Sequence, residues 1–429
     1  MKPTHDVKWL FLDLNSYFAS VEQQENPEIR GKPVAVIPSQ TDYTCAIAAS
    51  YEAKAYGIKT GTIIRDAKQM CPNLICVPAR HDIYVQYHNR IIEEIIKHTP
   101  INKIWSIDEL SSRLPPNKRN RTSAEQISHN IKQGLWDNIG SAINCSIGVA
   151  PNSLLAKIAG NMQKPNGFTY LPQEELPGRL LDLKLTDITG IGKNMDARLR
   201  RARIMSIQDL WNISPKHARK IWGSVQGERM WYWLHGYDFE EPQVERNTMI
   251  GHSRVLDPNL RSPEKTRLMA RRLLTKATYR LRRKDYFAST LVLGVRLIDG
   301  RKWRREIKLP NPAQDPFTFL EYLEALWHHM IIETQTNPTS RARTFKKVST
   351  LLMSLRHAEE ITGDMMVERY KEKLETLQKR ENLANALDHL QKKYEKETVT
   401  LGTPPKTLAG YVGTKIAFSR VPETEEFWN

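Results

Sequence analysis

Three carboxylates stand where an apolar chain does not carry charge without a reason. Asp13 ends the run Trp9-Leu10-Phe11-Leu12, and the pair Asp108-Glu109 interrupts INKIWSIDEL (101–110). An acid at the end of a buried strand is costly to desolvate unless positive charge meets it. If the two strands are neighbours, the three acids converge at one sheet edge, and hard divalent cations with oxygen ligands, Mg²⁺ above all, relieve the repulsion. Two such ions about 4 Å apart suit in-line phosphoryl transfer, one activating a hydroxyl and the other stabilising the leaving oxygen. Spacing alone leaves plainer readings open: Asp13 as the cap of the next helix, or all three acids paired with the many arginines. Consecutive strand residues face opposite sides, so Asp108 and Glu109 share a site only at a bend, a bulge or a strand end. Tyr51, Lys54, Lys157 and Lys164 are the groups that could meet a triphosphate, although each alone reads as a surface lysine or a packed tyrosine.

The elements that must position these residues follow from the pattern of apolar positions. KWLFLDLNSYFASVE (8–22) reads as a strand running into a helix N-terminus. GKPVAVIP (31–38) and LICVPAR (74–80) read as short strands, with helices between them over 51–57, closed by Gly57, and over 64–70. A helix over 81–100 stops at Pro100, a loop covers 115–123, and a helix over 123–138 precedes the alternating strand AINCSIGVAPN (142–152). Helix 152–163 then runs into the turn Lys164-Pro165-Asn166-Gly167. Strands and helices in this order suggest a split βαβ layout with the acids on central strands. From 173 the chain turns helical, and Gly190-Ile191-Gly192 between two short helices (185–211) resembles a helix-hairpin-helix. Its glycines would let backbone N–H groups approach a DNA phosphate. Residues 241–250 read as an irregular linker. A further unit at 251–356 has a basic helix (264–284), a strand (289–298), the turn Asp299-Gly300, a basic strand (301–309), an aromatic helix (317–333) and a last strand (345–355). A charged helical pattern spans 365–394.

Charge says what kind of partner to expect. The 429 residues carry a formal net charge of +16. Residues 241–356 hold 23 Lys/Arg against 11 Asp/Glu, so +12 of it lies there. Charge that lopsided on one small domain is the footprint of a module that grips a nucleic-acid backbone. Cys45, Cys71, Cys76 and Cys145 form no CxxC pair, which argues against zinc and a disulfide framework. His328-His329 reads as packing rather than a metal site. With no signal peptide and no long apolar run, a cytoplasmic protein away from membranes is expected.

Five stretches in order, DLNSYFASVE, SYEAKAYGIKTG, SIDE, SIGVAPNSLLAKIAGNMQKPNG and ITGIG, resemble the Y-family lesion-bypass DNA polymerases over about residues 1–356. The order is shared by the polymerase IV branch and the polymerase V catalytic-subunit branch. The resemblance implies an α+β, right-hand polymerase. Its ferredoxin-like palm would be 1–16 and 82–172, its small fingers 17–81, and its helical thumb 173–240. A basic α/β little finger at 251–356 and a tail of unknown role at 357–429 complete it. It implies template-directed addition of dNTPs to a primer 3′ end, at low fidelity, in DNA repair and damage tolerance. Asp13, Asp108 and Glu109 would be catalytic and hold two Mg²⁺ with the carbonyl of Leu14. Tyr17, Tyr51, Lys54 and Lys164 would meet the incoming nucleotide, Ala48 would cover the nascent base pair, and Phe18 would be the steric gate against a 2′-hydroxyl. DNA contacts would fall to Gly190, Gly192 and Lys193, to Arg254, Arg271, Arg272, Arg304 and Arg343, and generally to the arginines of 271–283.

The departures are informative as well. Lys54 stands where the family usually has arginine, which removes a planar two-pronged donor. Asn15 replaces a second acid that many members carry. EEITGDMM (359–366) lacks the aromatic anchor of the usual clamp-binding peptide, leaving the tail as the expected route to a sliding clamp or other partner of a monomeric enzyme. Two other readings stay in view: a polymerase-shaped DNA-binding accessory protein in a damage response, and a nucleotide cyclase. A scaffold gains nothing from a repulsive acid triad, and a cyclase has no use for the hairpin and the basic domain.

Overall fold

A computed structural model describes residues 6–239, 248–337, 342, 344–361, 371–394, 401 and 421–422. The chain divides into two compact units between residues 241 and 242. Among the described residues no helix is long and apolar enough to cross a membrane.

The first unit opens with β1 (Trp9–Leu14) and α1 (Tyr17–Glu25), then β2 (Val34–Ile37), β3 (Ala48–Ala49), α2 (Tyr51–Ala55), α3 (Ile64–Met70) and β4 (Ile75–Pro78). It continues with α4 (His81–Ile96), β5 (Lys103–Ile104), β6 (Glu109–Arg113), α5 (Arg121–Asn138), β7 (Cys145–Ala150), α6 (Ser153–Met162) and β8 (Phe168–Tyr170). Four helices close it: α7 (Lys193–Arg201), α8 (Ile207–Asn212), α9 (Pro215–Trp222) and α10 (Val225–Leu234). A five-stranded sheet runs β5-β6-β1-β7-β8, with β1 antiparallel to both neighbours. A small sheet β3-β2-β4 stands apart from it.

Two local outcomes differ from the sequence reading. The strand expected over 101–110 is a tight hairpin: β5 ends at Ile104, Trp105 and Ser106 donate their N–H groups back to the Glu109 carbonyl, and β6 starts at Glu109. The turn puts Asp108 just outside the strand and Glu109 at its first position, which is how adjacent acids come to face the same end. Strand β7 is buried on both faces rather than alternating, because α6 lies on one of them at backbone distance. A Cβ on Gly148 would run into the Ala156 carbonyl and the Gly160 nitrogen. Asn152 caps α6 by accepting the Leu155 N–H at 2.9 Å, and its amide donates to the Trp233 and Tyr237 carbonyls. A single core joins Phe11 and α6 residues Leu155 and Ile158 to Leu199, Ile221 and Leu234 of the helical stretch.

The second unit holds β9 (Met249–Val255), α11 (Pro263–Arg283), β10 (Tyr286–Leu297), β11 (Lys302–Ala313), α12 (Pro316–Glu333), β12 (Phe345–His357) and α13 (Lys371–Tyr394). Its sheet order is β11-β10-β12-β9, all antiparallel. The linker reading of 241–250 is corrected at its end, since Met249 and Ile250 are apolar and pair with Met353 and Leu352. Leu291, Leu293, Val295, Trp303, Val348 and Leu352 point to one face and pack with Met269, Leu273, Phe319 and Leu323 of the two helices. Asp315 starts α12 by accepting the Thr318 N–H at 2.8 Å, with Pro316 at the first helical position. The tail contributes α13, which lies against this unit: Arg282 grips Asp388 at 2.6 and 2.7 Å, Arg380 meets Glu321, and Ala384 is buried.

Candidate active site

Strand pairing does the convergence. Asp13 lies directly across from Glu109 in the β1–β6 ladder, and the Leu14 N–H donates to the Asp108 carbonyl at 2.8 Å. The ends of β1 and β6 therefore bring all three acids and the last residue of β1, Leu14, to one place. Burial pushes the Asp13 carboxyl up to about 6; Lys164 opposes that rise, and the negative charges of Asp108 and Glu109 add to it. Burial also raises Asp108, with the Ser106 hydroxyl opposing and Glu109 adding. Ser106 Oγ donates to Asp108 Oδ1 at 2.5 Å.

Two lysines compensate the negative charge. Lys164 Nζ lies 2.8 Å from Asp13 Oδ1, and Lys157 Nζ lies 2.6 Å from Glu109 Oε1. Among the described residues no three Asp, Glu, His or Cys side chains are drawn together into a cation cage. The donor set nevertheless fits hard divalent ions: three carboxylates meet at one strand end, burial raises Asp13 and Asp108, and Asp13 and Glu109 each already face a lysine. Tyr51 and Lys54 belong to the same field. Asp13 adds to the burial that raises Tyr51 to about 12, and burial, then Lys164, lowers Lys54. Lys54 Nζ sits 4.2 Å from the centre of the Tyr51 ring. Ser50 caps the short helix carrying both. Ala48 lies in β3, paired with Val36.

Phe18 and Tyr17 part ways. Phe18 is half-buried and stacks on Tyr84 at 4.3 Å and 13°, with His81 edge-on at 6.0 Å. Behind it, Tyr84 donates to Glu22 Oε1 at 2.7 Å, and Arg80 grips the buried Glu22 with Nε and Nη2. Tyr17, expected beside the nucleotide, turns into the core and donates its hydroxyl to the Tyr84 carbonyl at 2.6 Å. Burial, then the negative charge of Asp108, holds its phenol well above the ordinary range, so it stays protonated as that donor. The Arg80–Glu22–Tyr84 support is absent from the sequence reading, and no local signal announces it, because Glu22 and Arg80 are 58 residues apart. Ser106 had one: a serine two residues before an aspartate is a turn pattern.

The expected DNA-contacting residues fall into three groups. Gly190, with φ +96°, Gly192 and Lys193 are exposed at the start of α7, where Gly192 caps without a side chain. The first element of the expected hairpin is only a 3-10 turn, Leu185–Asp187. On the second unit's sheet, the face away from the helices carries Arg296, Lys302, Arg304, Lys308 and Lys347, all exposed, with Glu306 among them. The remaining described arginines are engaged within their own unit. Arg254 shares the helix-packed face with Val348 and pairs with Asp257 at 3.0 Å. Arg271 pairs with Glu324 at 2.5 Å, Arg272 is buried, and Arg282 holds Asp388. A helix that packs on a sheet turns its long cations into the flank contacts with its neighbours. Arg343 lies outside the described residues.

Comparison with known proteins places this geometry. The impB/mucB/samB family model matches residues 12–161, and the model of that family's C-terminal domain matches 247–365. The DNA polymerase IV of Moorella thermoacetica is 32% identical over 296 residues, 68% of this chain and 73% of that protein. The DNA polymerase IV 1 of Bacillus subtilis is 30% identical over 323 residues, 74% and 76% of the two chains. Among solved structures, a Y-family DNA polymerase chimera of Dbh and Dpo4 superposes with a TM-score of 0.69 at 24% identity, covering 82% of this chain and 99% of that one. DinB from Sulfolobus solfataricus gives 0.51 at 24%, covering 81% and 98%.

Proposed function

The chain belongs to the Y family of lesion-bypass DNA polymerases, and from that premise we propose that Asp13, Asp108 and Glu109 are its catalytic carboxylates. Its activity is DNA-directed DNA synthesis of the translesion type, dependent on a divalent metal. The observation that carries the site reading is the register of β1 and β6, which sets Asp13 against Glu109 with Asp108 in the adjoining turn. Two Mg²⁺ held by these carboxylates and the Leu14 carbonyl would lower the barrier to attack by the primer hydroxyl and neutralise the leaving oxygen.

The chain's own residues supply the rest. Lys164, 2.8 Å from Asp13, would offer its ammonium to the triphosphate, joined by the Tyr51 hydroxyl and by Lys54. Lysine at 54 acts there as a point charge. Phe18, braced by Tyr84, fills the volume a 2′-hydroxyl would need. Small residues around Ala48 leave the nascent pair loosely covered, which suits damaged templates. Primer–template DNA is held by the amide-rich start of α7 and by the open face of the second unit's sheet. A single copy of the chain is the working unit. No clamp contact is assigned, because EEITGDMM has no aromatic anchor and runs into residues outside the described set.

The test is primer extension on an undamaged primer–template with Mg²⁺ and four dNTPs. Wild type should extend, and Asp108→Ala/Glu109→Ala should bind DNA without extending. A wild-type protein that binds and adds nothing would return the chain to the accessory, scaffold reading.

A further inference from the structure

Resting on that site reading, we propose that Asn15 is a positioning residue that sets triphosphate capture by holding the loop of Lys164. Lys164 lies on a short turn between α6 and β8, and nothing in a free four-residue turn fixes where a long side chain ends. Here the turn is clamped from within. Asn15 is 3% exposed, two residues beyond Asp13. Its Oδ1 accepts the Asn166 N–H at 2.7 Å, which fixes the amide's orientation, since only the oxygen can face a donor. Nδ2 is thereby turned to Ser146 Oγ at 3.0 Å. Ser146 is fully buried, is the β7 partner of Asp13 in the sheet, and receives the Gly167 N–H at 3.4 Å. From the opposite side, Lys132 of α5 donates to the Asn166 and Gly167 carbonyls at 2.6 and 3.0 Å.

The turn is thus referenced to the end of β1, the strand that carries Asp13, and to its neighbour β7. An asparagine serves better here than an aspartate would in one respect. It meets a backbone N–H and a hydroxyl at once, one as acceptor and one as donor, without adding a fourth negative charge to the strand end. Losing a buried amide that closes such a network leaves two partners unsatisfied, and the turn is free to move. The ammonium would then no longer be held where a triphosphate meets it, so the loss should read in nucleotide KM more than in kcat.

The experiment is a double-mutant cycle at saturating Mg²⁺, measuring single-nucleotide insertion by Asn15→Ala, Lys164→Ala and the pair, with Asn15→Asp as the conservative variant. Lys164→Ala should raise dNTP KM about 30-fold and Asn15→Ala about 10-fold, while the pair should match Lys164→Ala within about twofold, the signature of residues that act as one. Asn15→Asp keeps the acceptor for Asn166 and should stay within about threefold of wild type. If Asn15→Ala does not fold, Asn15→Ser, too short to reach Asn166, takes its place. Multiplying effects in the pair, or a raised KM for Lys164→Ala with none for Asn15→Ala, overturns the positioning role alone. An unchanged KM in Lys164→Ala overturns the site reading and the inference with it.

Discussion

The two large sheets of this protein carry charge in opposite ways. In the five-stranded sheet, charge is concentrated at one end of β1 and β6, is half-buried, and is answered lysine by lysine through Lys164 and Lys157. In the four-stranded sheet, cations are spread over an open face, and Arg304 and Lys302 have no ion-pair partner among the described residues. The first arrangement is costly and directional, as bond-making chemistry requires. The second is solvated and redundant, as gripping a regular polyanion requires. Charge count alone does not separate them. Arg271, Arg272 and Arg282 add to the same +12 and are spent inside their own domain.

If that contrast is right, removing charge should cost very different amounts in the two places. Asp108→Ala/Glu109→Ala should lower primer extension by about 1000-fold or more, the scale reached when a transition-state charge stabiliser is lost. Next in size is the gate. Phe18→Ala should raise the ratio of ribonucleotide to deoxynucleotide kcat/KM on the order of 100-fold, while dNTP insertion falls less. A comparable loss for both nucleotides in a steady-state comparison would mean the ring is structural. The third effect is on stability. The folded-state value of Asp13 stands above its ordinary one, 3.8 rising to about 6, so the group favours folding only while protonated. Its contribution is full below about pH 4 and is lost as pH rises through about 6, by roughly 2–3 kcal/mol. Thermal unfolding in chelator should show that decline between pH 4 and 6.5, and Mg²⁺ should remove it. A flat profile in chelator would mean that Lys164 neutralises Asp13 fully.

How much of this was legible beforehand depends on how far each feature reaches along the chain. The acids were visible because charge breaks an apolar run locally, at Asp13 and again at Asp108-Glu109. The split βαβ order followed from periodicity and turn residues, down to the Asp299-Gly300 turn, where Gly300 has φ +93°, whereas the α+β polymerase class came from the family resemblance. The pairing of Asp13 with Glu109 is a register, and the hairpin that sets it hangs on backbone bonds around Trp105 and Ser106, of which the sequence shows only the Ser106-to-Asp108 turn pattern. Tyr17 and Phe18 are adjacent aromatics with the same propensity, and only the packing of α1 on α4 decides which one is buried. Arginines were the least legible. Whether Arg271 or Arg304 meets solvent depends on which flank of α11 faces α12 and which face of the sheet the helices cover.

The smallest effect tests the contrast from the gripping side. Arg304 stands across from Gly294 on the open face, beside Lys302, Arg296 and Lys347, so one side chain among several is lost in Arg304→Ala. DNA affinity should fall only a few-fold, and the slope of log K against log salt should shrink by about 0.9 if one phosphate contact disappears. Arg271→Ala removes the same formal charge from the same unit but breaks the contact with Glu324 instead. It should lower the melting temperature slightly and leave the salt slope where it was. Fluorescence anisotropy at four salt concentrations separates the two: equal slopes for both variants would mean that total charge, rather than the face it occupies, governs binding, and the distinction between the two sheets would lose its meaning on this side.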